Sequence, residues 1–475
     1  MRDLLLIGIL LGFIVMSLRV PYFMALGYLW VDFVQPQRLG YYLFNQLPVA
    51  MILGAGAFLS FLLFDKERRI QFGIMQALVV ALVAYATVAT FSWAVVDTTS
   101  KWDWVTKALL FSVFMPFILT TRTRIEAAVG TMIFSISAIT ISAGMKTVLG
   151  GGGYGTLSFL VNNNTGLYEG SILSTTATAM IPVYWWFYKN NRFVPPSRLT
   201  FLFTLGISVA SLLIFIGAEA RTGLLAAVVL GGIIWLKSRH KLLIGGGLVA
   251  AVLIALPFLA SSFTDRMGTI ENYQSDQSAS TRIAVWGWTL KFVAEHPLGG
   301  GFDVYRINSI SYDIAEEVEG DMQYTTITDR ARAFHSSYFE MLGEMGIPGF
   351  LMWTAIFGIL FVTARRLSKQ EKRYAATLDP GDPEWRRSEW ARGFGSAVST
   401  FLPVYLTGAA FVGIAYQPTL YLIVALTYSV VKLRERERAA YLKPAPTAAS
   451  EAKVGAGGAK PSKATRPGWM RPARA

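Results

Sequence analysis

The feature that most constrains this chain is a succession of apolar runs, each about 20 residues long, separated by short basic segments. Candidate spans lie at 48–65, 74–96, 105–120, 124–146, 172–188, 199–218, 222–237 and 242–260; after a long polar break, three more lie at 346–364, 394–414 and 417–431. Residues 4–35 are also apolar, but Arg19, Val20 and Pro21 divide them, so they read as one broken span or two. A stretch of that length buries its backbone polar groups in lipid only by satisfying them internally, which selects helices. The expected fold is an all-α integral membrane protein of about 12 transmembrane helices, with 11 to 13 compatible. Composition agrees, since only 15% of the residues are charged, against roughly 25% in soluble domains.

Charge placement then sets the expected topology. The basic stretches at 65–69, 121–124, 189–198, 237–241 and 365–373 and the tail from Lys432 all fall on one side if the helices alternate. The rule that Lys and Arg stay inside makes that side cytoplasmic. The first residues, charged and then apolar, lack a small-residue cleavage site and read as a retained anchor. The polar segment from 261 to 345 faces outward and carries six Lys/Arg against thirteen Asp/Glu, a net of −7. The tail from 432 carries eleven basic and three acidic residues, a net of +8. That asymmetry explains the overall charge of +13 without nucleic acid; the inner membrane leaflet is the expected partner of the tail. Four regions follow: an N-terminal transmembrane bundle (1–260), an extracytoplasmic loop (261–345), C-terminal transmembrane helices (346–431) and a basic disordered tail (432–475).

Chemistry is constrained by what is scarce. Cysteine is absent and only three histidines occur, His240, His296 and His335, so Cys-ligated metal centres and thiolate nucleophiles are excluded and a histidine-rich metal site is not expected. Within the outer segment, 281–305 begins as an amphipathic helix that Thr281 could cap and that stops at Pro297, and an acidic, disordered-looking stretch follows it. Next comes "RARAFHSSYFEMLGEMGIPGF" (330–350), in which Tyr338, Phe339 and Leu342 share a helical face with His335 in the first turn. A histidine there is disfavoured as imidazolium by the helix dipole, so it stays neutral and can accept a proton. Arg221, Arg266 and Arg282 lie on the same expected side; guanidinium forks suit phosphate oxygens, and two of them would neutralise a diphosphate diester without a metal. Glu219 is placed to orient Arg221, and Glu344 to brace the histidine helix. Taken singly, the histidine also fits a cap and the arginines fit headgroup anchors.

Three blocks, "EARTGLL" (219–225), "TRIAVWGW" leading to "HPLGGGFD" (281–303) and "FHSSYFEMLGEMGIPGF" (334–350), in this order and membrane placement, resemble the O-antigen ligase-like superfamily of bacterial membrane glycosyltransferases. Residues 1–42 and "GGGGYGTLSFLVNNNTGLYEGS" (150–171) resemble more particularly the exosortase-associated probable O-glycosylation ligases, although Val161 stands where those proteins have an acidic residue. The resemblance implies a GT-C-like helical fold. It also implies transfer of a glycan from a polyprenyl (undecaprenyl) diphosphate carrier to a hydroxyl acceptor, a lipid A-core sugar or a protein, at the periplasmic face of the bacterial inner membrane. That transfer is inverting and uses neither metal nor cofactor. His335 and Arg282 carry over best by motif, Arg221 next and Arg266 by position. A polysaccharide polymerase, a transporter and a structural assembly factor are the competing readings. Against the transporter, no repeat or pair of broken midplane helices suggests alternating access.

Overall fold

The computed structural model describes residues 2–150, 166–255, 277–318 and 321–442. Residues 4–35 resolve into two helices, α1 (Arg2–Ser17) and α2 (Phe23–Val34). They pack side by side, with the Phe13 ring against Gly27 and, at 5.9 Å between centroids, against Trp30. At 1.5 Å per residue, each falls short of a hydrocarbon core of about 30 Å. Two short turns, α3 (Pro36–Leu39) and α4 (Leu43–Gln46), lead into α5 (Val49–Leu63), α6 (Ile74–Ser92), α7 (Thr99–Ile118) and α8 (Arg122–Gly150). After 166 come α9 (Gly170–Asn190), α10 (Arg198–Gly217), α11 (Arg221–Lys237) and α12 (Lys241–Ala255), then α13 (Gln277–Glu295), the strands β1 (Ser309–Val318) and β2 (Asp321–Arg330), and α14 (Ser337–Ala375), α15 (Pro383–Ala409) and α16 (Pro418–Tyr441).

Each expected span from 48 onward overlaps a helix, although residues 256–260 of the span 242–260 lie outside the described residues. Among the described residues, four helices are long and apolar enough to cross a membrane: α6, α8 over Arg122–Leu149, α10 and α14. Helix α9 falls outside that set because its core-facing surface is polar rather than greasy. Ser174, Thr175, Thr176 and Thr178 are fully buried, and hydroxyl-bearing and small residues of this kind let membrane helices approach closely. By contrast α10 exposes Leu199, Leu202, Phe203 and Val209, an apolar flank that water would not tolerate over such a length. These apolar helices mark a membrane protein.

The segments joining the helices sort to two ends of the bundle. At one, the Asp65 carboxylate accepts both terminal nitrogens of Arg124, at 2.7 and 2.8 Å. Arg122 donates to the Asn190 carbonyl at 2.6 Å, Glu126 accepts the Arg192 N–H at 3.0 Å, and the Trp186 indole donates to the Trp390 carbonyl at 3.0 Å. The basic stretches at 65–69, 121–124 and 189–198 therefore meet one another, as alternating crossings require. At the other end, Gly223 packs on Ser174 and Gly408 on Thr175, and Ser337 Oγ donates to the Val412 carbonyl while accepting the Ile414 N–H, both at 2.8 Å.

The polar segment builds a small core of its own. Val285, Phe292 and Val293 of α13 pack with Val304, with Ile310 and Tyr312 of β1, and with Phe334. The acidic stretch expected to be disordered is instead an antiparallel hairpin, with Ser309 opposite Arg330 and Tyr312 opposite Ile327. The reason is period-2 alternation: Ile310 and Tyr312 turn inward onto α13 while Ser311 and Asp313 meet Thr328 and Thr326 across the strands at 2.8 and 2.6 Å. Among the described residues the fold is thus helical apart from this hairpin. Helix α13 starts four residues before Thr281, which is buried in its second turn rather than capping it.

Candidate functional site

Two glycine-containing motifs far apart in sequence form the floor of the site. Helix α14 is broken at Gly346, whose φ of 61° is left-handed. The break lets the glycine loop 297–303 lie against it. Pro297 O accepts the Ile347 N–H at 2.9 Å, Gly300 N–H donates to Gly343 O at 3.0 Å, and Gly301 N–H donates to Glu344 O at 2.9 Å. A β-carbon on Gly346 would strike the Pro297 carbonyl and the Gly299 nitrogen, and Gly299 is itself left-handed, with φ of 83°. "HPLGGGFD" and "GEMGIPG" are therefore two halves of one joint. Gly346→Ala is expected to cost more than about 2 kcal/mol, combining positive-φ strain with backbone collision. A thermal unfolding midpoint in detergent unchanged from wild type would contradict it.

His335 is held just above this joint. The sequence puts it in the first turn of α14; the structure puts it two residues earlier, in a left-handed conformation with φ of 47°, because buried Ser336 is the N-cap and Ser337 the first helical residue. The left-handed region admits histidine more readily than most side chains, and here it lifts the imidazole off the helix into an exposed position. Phe334 before it is buried, and its carbonyl accepts the Trp286 indole N–H at 2.9 Å. Trp286 stacks on Phe339 at 4.9 Å, so α13 holds the residues on both sides of the histidine. Tyr338, expected on the same face, turns to the bundle instead, its hydroxyl donating to Leu406 O at 3.2 Å.

Arg282 lies one turn before Trp286 on α13, and its charge reaches the imidazole. Partial desolvation first, then Arg282 and Arg332, hold His335 below the ordinary imidazole value. The causes are thus burial and two guanidiniums, where the sequence points to the helix dipole. Arg332 was not singled out by sequence reasoning, although "RAR" stands directly before the histidine motif. Buried Asn308 fixes its backbone, donating to Arg332 O at 2.7 Å and accepting its N–H at 2.9 Å, while Asp329 takes its side chain at 2.8 Å.

Arg221 is the first residue of α11, following the left-handed Glu219 (φ 48°) that turns the chain out of α10. It shares the end of the bundle that carries His335, through the α9, α11 and α15 contacts given above; of the three expected arginines, Arg282 is the one whose charge is seen to act on the histidine. Arg266 lies outside the described residues. So do residues 151–165 of the glycine-rich loop and the tail from 443; the disorder expected from 432 is contradicted over its first ten residues, where α16 runs on to Tyr441.

A second constellation is one that sequence reasoning missed. Lys101, at the start of α7, reaches Glu344 at 2.7 Å, Asp303 at 3.1 Å and Glu340 at 3.2 Å. Glu344 is fully buried and also accepts the Asp303 N–H at 2.8 Å, and Arg306 caps Asp303 at 2.8 Å. Glu344 therefore ties the helix that follows His335 to α7 and to the glycine loop. The available signal was the i,i+4 carboxylate pair Glu340 and Glu344, which on one helical face calls for a cation.

Residues 206–354 match the family described as O-Antigen ligase. The three sequence blocks, the α13–hairpin layer and His335 all fall inside that range. Residues 1–192 match a family of unknown function, DUF5935. No curated protein matches the chain.

Proposed function

From an O-antigen ligase domain over residues 206–354, which supports a glycan ligase or polymerase type of membrane enzyme, we propose a specific reaction. The chain transfers a saccharide from a polyprenyl (undecaprenyl) diphosphate carrier to a hydroxyl acceptor, a lipid A-core sugar or a protein, at the periplasmic face of the bacterial inner membrane. The observation that carries this reading is the pairing of an exposed, left-handed His335 with Arg282, whose charge helps keep the imidazole neutral. A neutral imidazole is a base, and a guanidinium beside it is a site for an anion.

In the proposed step His335 takes the proton of the acceptor hydroxyl as its oxygen bonds to the anomeric carbon. The bond from that carbon to the diphosphate breaks on the opposite face, and the electron pair leaves on the diphosphate, which gives inversion. Arg282, with Arg221 and Arg266, stabilises the charge developing there, the role a metal takes in other transferases. Glu219 and Glu344 position Arg221 and the histidine helix. The carrier's activated bond supplies the driving force, so neither nucleotide nor cofactor is required. A polymerase would use the same chemistry with a second lipid-linked glycan as acceptor.

The test is transfer by purified protein from an undecaprenyl-diphosphate oligosaccharide to lipid A-core, to a peptide or to a second carrier-linked glycan, with the product identified by mass. Arg282→Ala is expected to slow the productive reaction by about 10²–10³, the usual cost of losing one charge-stabilising donor. Wild-type rates in a correctly inserted Arg282→Ala protein would remove Arg282 from the mechanism.

A further inference from the structure

The end of the bundle opposite His335 holds a cavity of about 600 Å³ that the reaction does not use. It opens between the start of α8, the end of α9 and the start of α15, and five cations line it: Arg122, Lys189, Arg192, Arg386 and Arg387. The single lining carboxylate, Glu389, is already held by Arg392 at 2.5 Å. Nearby acids are likewise committed: Glu126 is bound to Arg122 at 2.6 Å and to the Arg192 N–H at 3.0 Å, and Glu384 faces Arg387 at 3.4 Å. Lys189, Arg192 and Arg386 are exposed, and among the described residues no carboxylate pairs with their side chains. Two helix N-termini, those of α8 and α15, end at the cavity and add positive potential, opposed by the C-terminus of α9 alone.

The five cations surround a concavity large enough for a headgroup, and Arg122 is fixed in it, donating to Asn190 O at 2.6 Å and lying over the Trp390 ring at 5.0 Å. We propose that this cavity is a binding site for a phosphate-bearing anion, distinct from the diphosphate position beside Arg282. Guanidinium groups from two elements give the forked donors that phosphate oxygens take, and basic pockets between membrane helices accept anionic headgroups. The same chemistry is offered by a phospholipid headgroup and by a free phosphate, and the two are separable by experiment.

The probes are dioleoyl phosphatidylglycerol, dioleoyl phosphatidylcholine and inorganic pyrophosphate, added to the full chain in detergent and read by native mass spectrometry. Wild type is expected to retain phosphatidylglycerol over phosphatidylcholine. Lys189→Gln/Arg192→Gln/Arg386→Gln is expected to weaken that retention about 10²-fold, at roughly fivefold per basic residue. Pyrophosphate that displaces the lipid from wild type, and fails to bind the triple variant, would support the site with a soluble occupant. Equal retention of both lipids with no binding of pyrophosphate, or a triple variant that binds phosphatidylglycerol and pyrophosphate as wild type does, overturns the proposal. The three side chains are exposed, and an unchanged unfolding midpoint without lipid verifies that the variant folds; Arg386→Gln alone, with about a fivefold loss, serves if it does not.

Discussion

His335→Asn is expected to reduce glycan transfer by about 10²–10⁴, the contribution of a positioned general base, while leaving the fold intact. Asparagine tolerates the left-handed backbone that His335 adopts at φ 47°, so loss of rate with Asn separates lost chemistry from lost geometry more cleanly than alanine does. The wild-type pH profile carries a second signature. Because the imidazole is held below its ordinary value of about 6.5, it is already neutral at pH 7, and kcat/KM should be flat there. It should fall only as the pH drops through that lowered value and the base becomes protonated. Arg332→Gln removes one of the two charges responsible and keeps the imidazole, so the acid limb should move up toward the ordinary value. A limb that stays in place, or His335→Asn that turns over at the wild-type rate, would sink the assignment of His335 as base.

How much of this was legible in the sequence follows from the range of the forces involved. The spans were legible because one local property, about 20 apolar residues in a row, is enough to require a helix in lipid. The break at Pro297 was legible because proline acts on its own backbone, and a second break lies at Gly346. What could not be read is that the two breaks fit together, because the fit is made by hydrogen bonds such as Gly300 N–H to Gly343 O, between segments with no local signature of pairing. The hairpin was hidden by composition: its inward Ile310 and Tyr312 alternate with acidic and hydroxyl residues, and net charge masked the period. His335 was placed within two residues of its position. The difference matters, because the left-handed turn rather than the helix presents the imidazole. Of the arginines read from the sequence, Arg282 is the one whose charge acts on the imidazole. The cluster around Lys101 joins residues 239 and 243 positions apart, beyond the reach of any periodicity.

That cluster carries the largest expected effect on stability. Lys101→Met is expected to destabilise the protein by about 3–5 kcal/mol, the cost of stripping the partner from buried ionic groups, read as a lowered unfolding midpoint in detergent. The lysine is the cation common to Glu344, Glu340 and Asp303, at 2.7, 3.2 and 3.1 Å. Without it Asp303 keeps Arg306, and Glu340 keeps the Ala415 N–H at 3.2 Å. Glu344, fully buried, keeps the Asp303 N–H but loses the charge that compensates its own. Adding Glu344→Gln should therefore recover a substantial part of the loss, since an amide oxygen still accepts the Asp303 N–H and the fully buried, uncompensated charge at position 344 is gone. The pair also distinguishes a positional from a purely structural role. Glu340 and Glu344 stand on the helix that begins two residues after His335, and Asp303 stands on the loop beneath it, so a rescued double variant that folds but transfers slowly would mean that the ionic tie also aims the imidazole. A Lys101→Met protein as stable as wild type would mean that the three carboxylates are not held by this lysine.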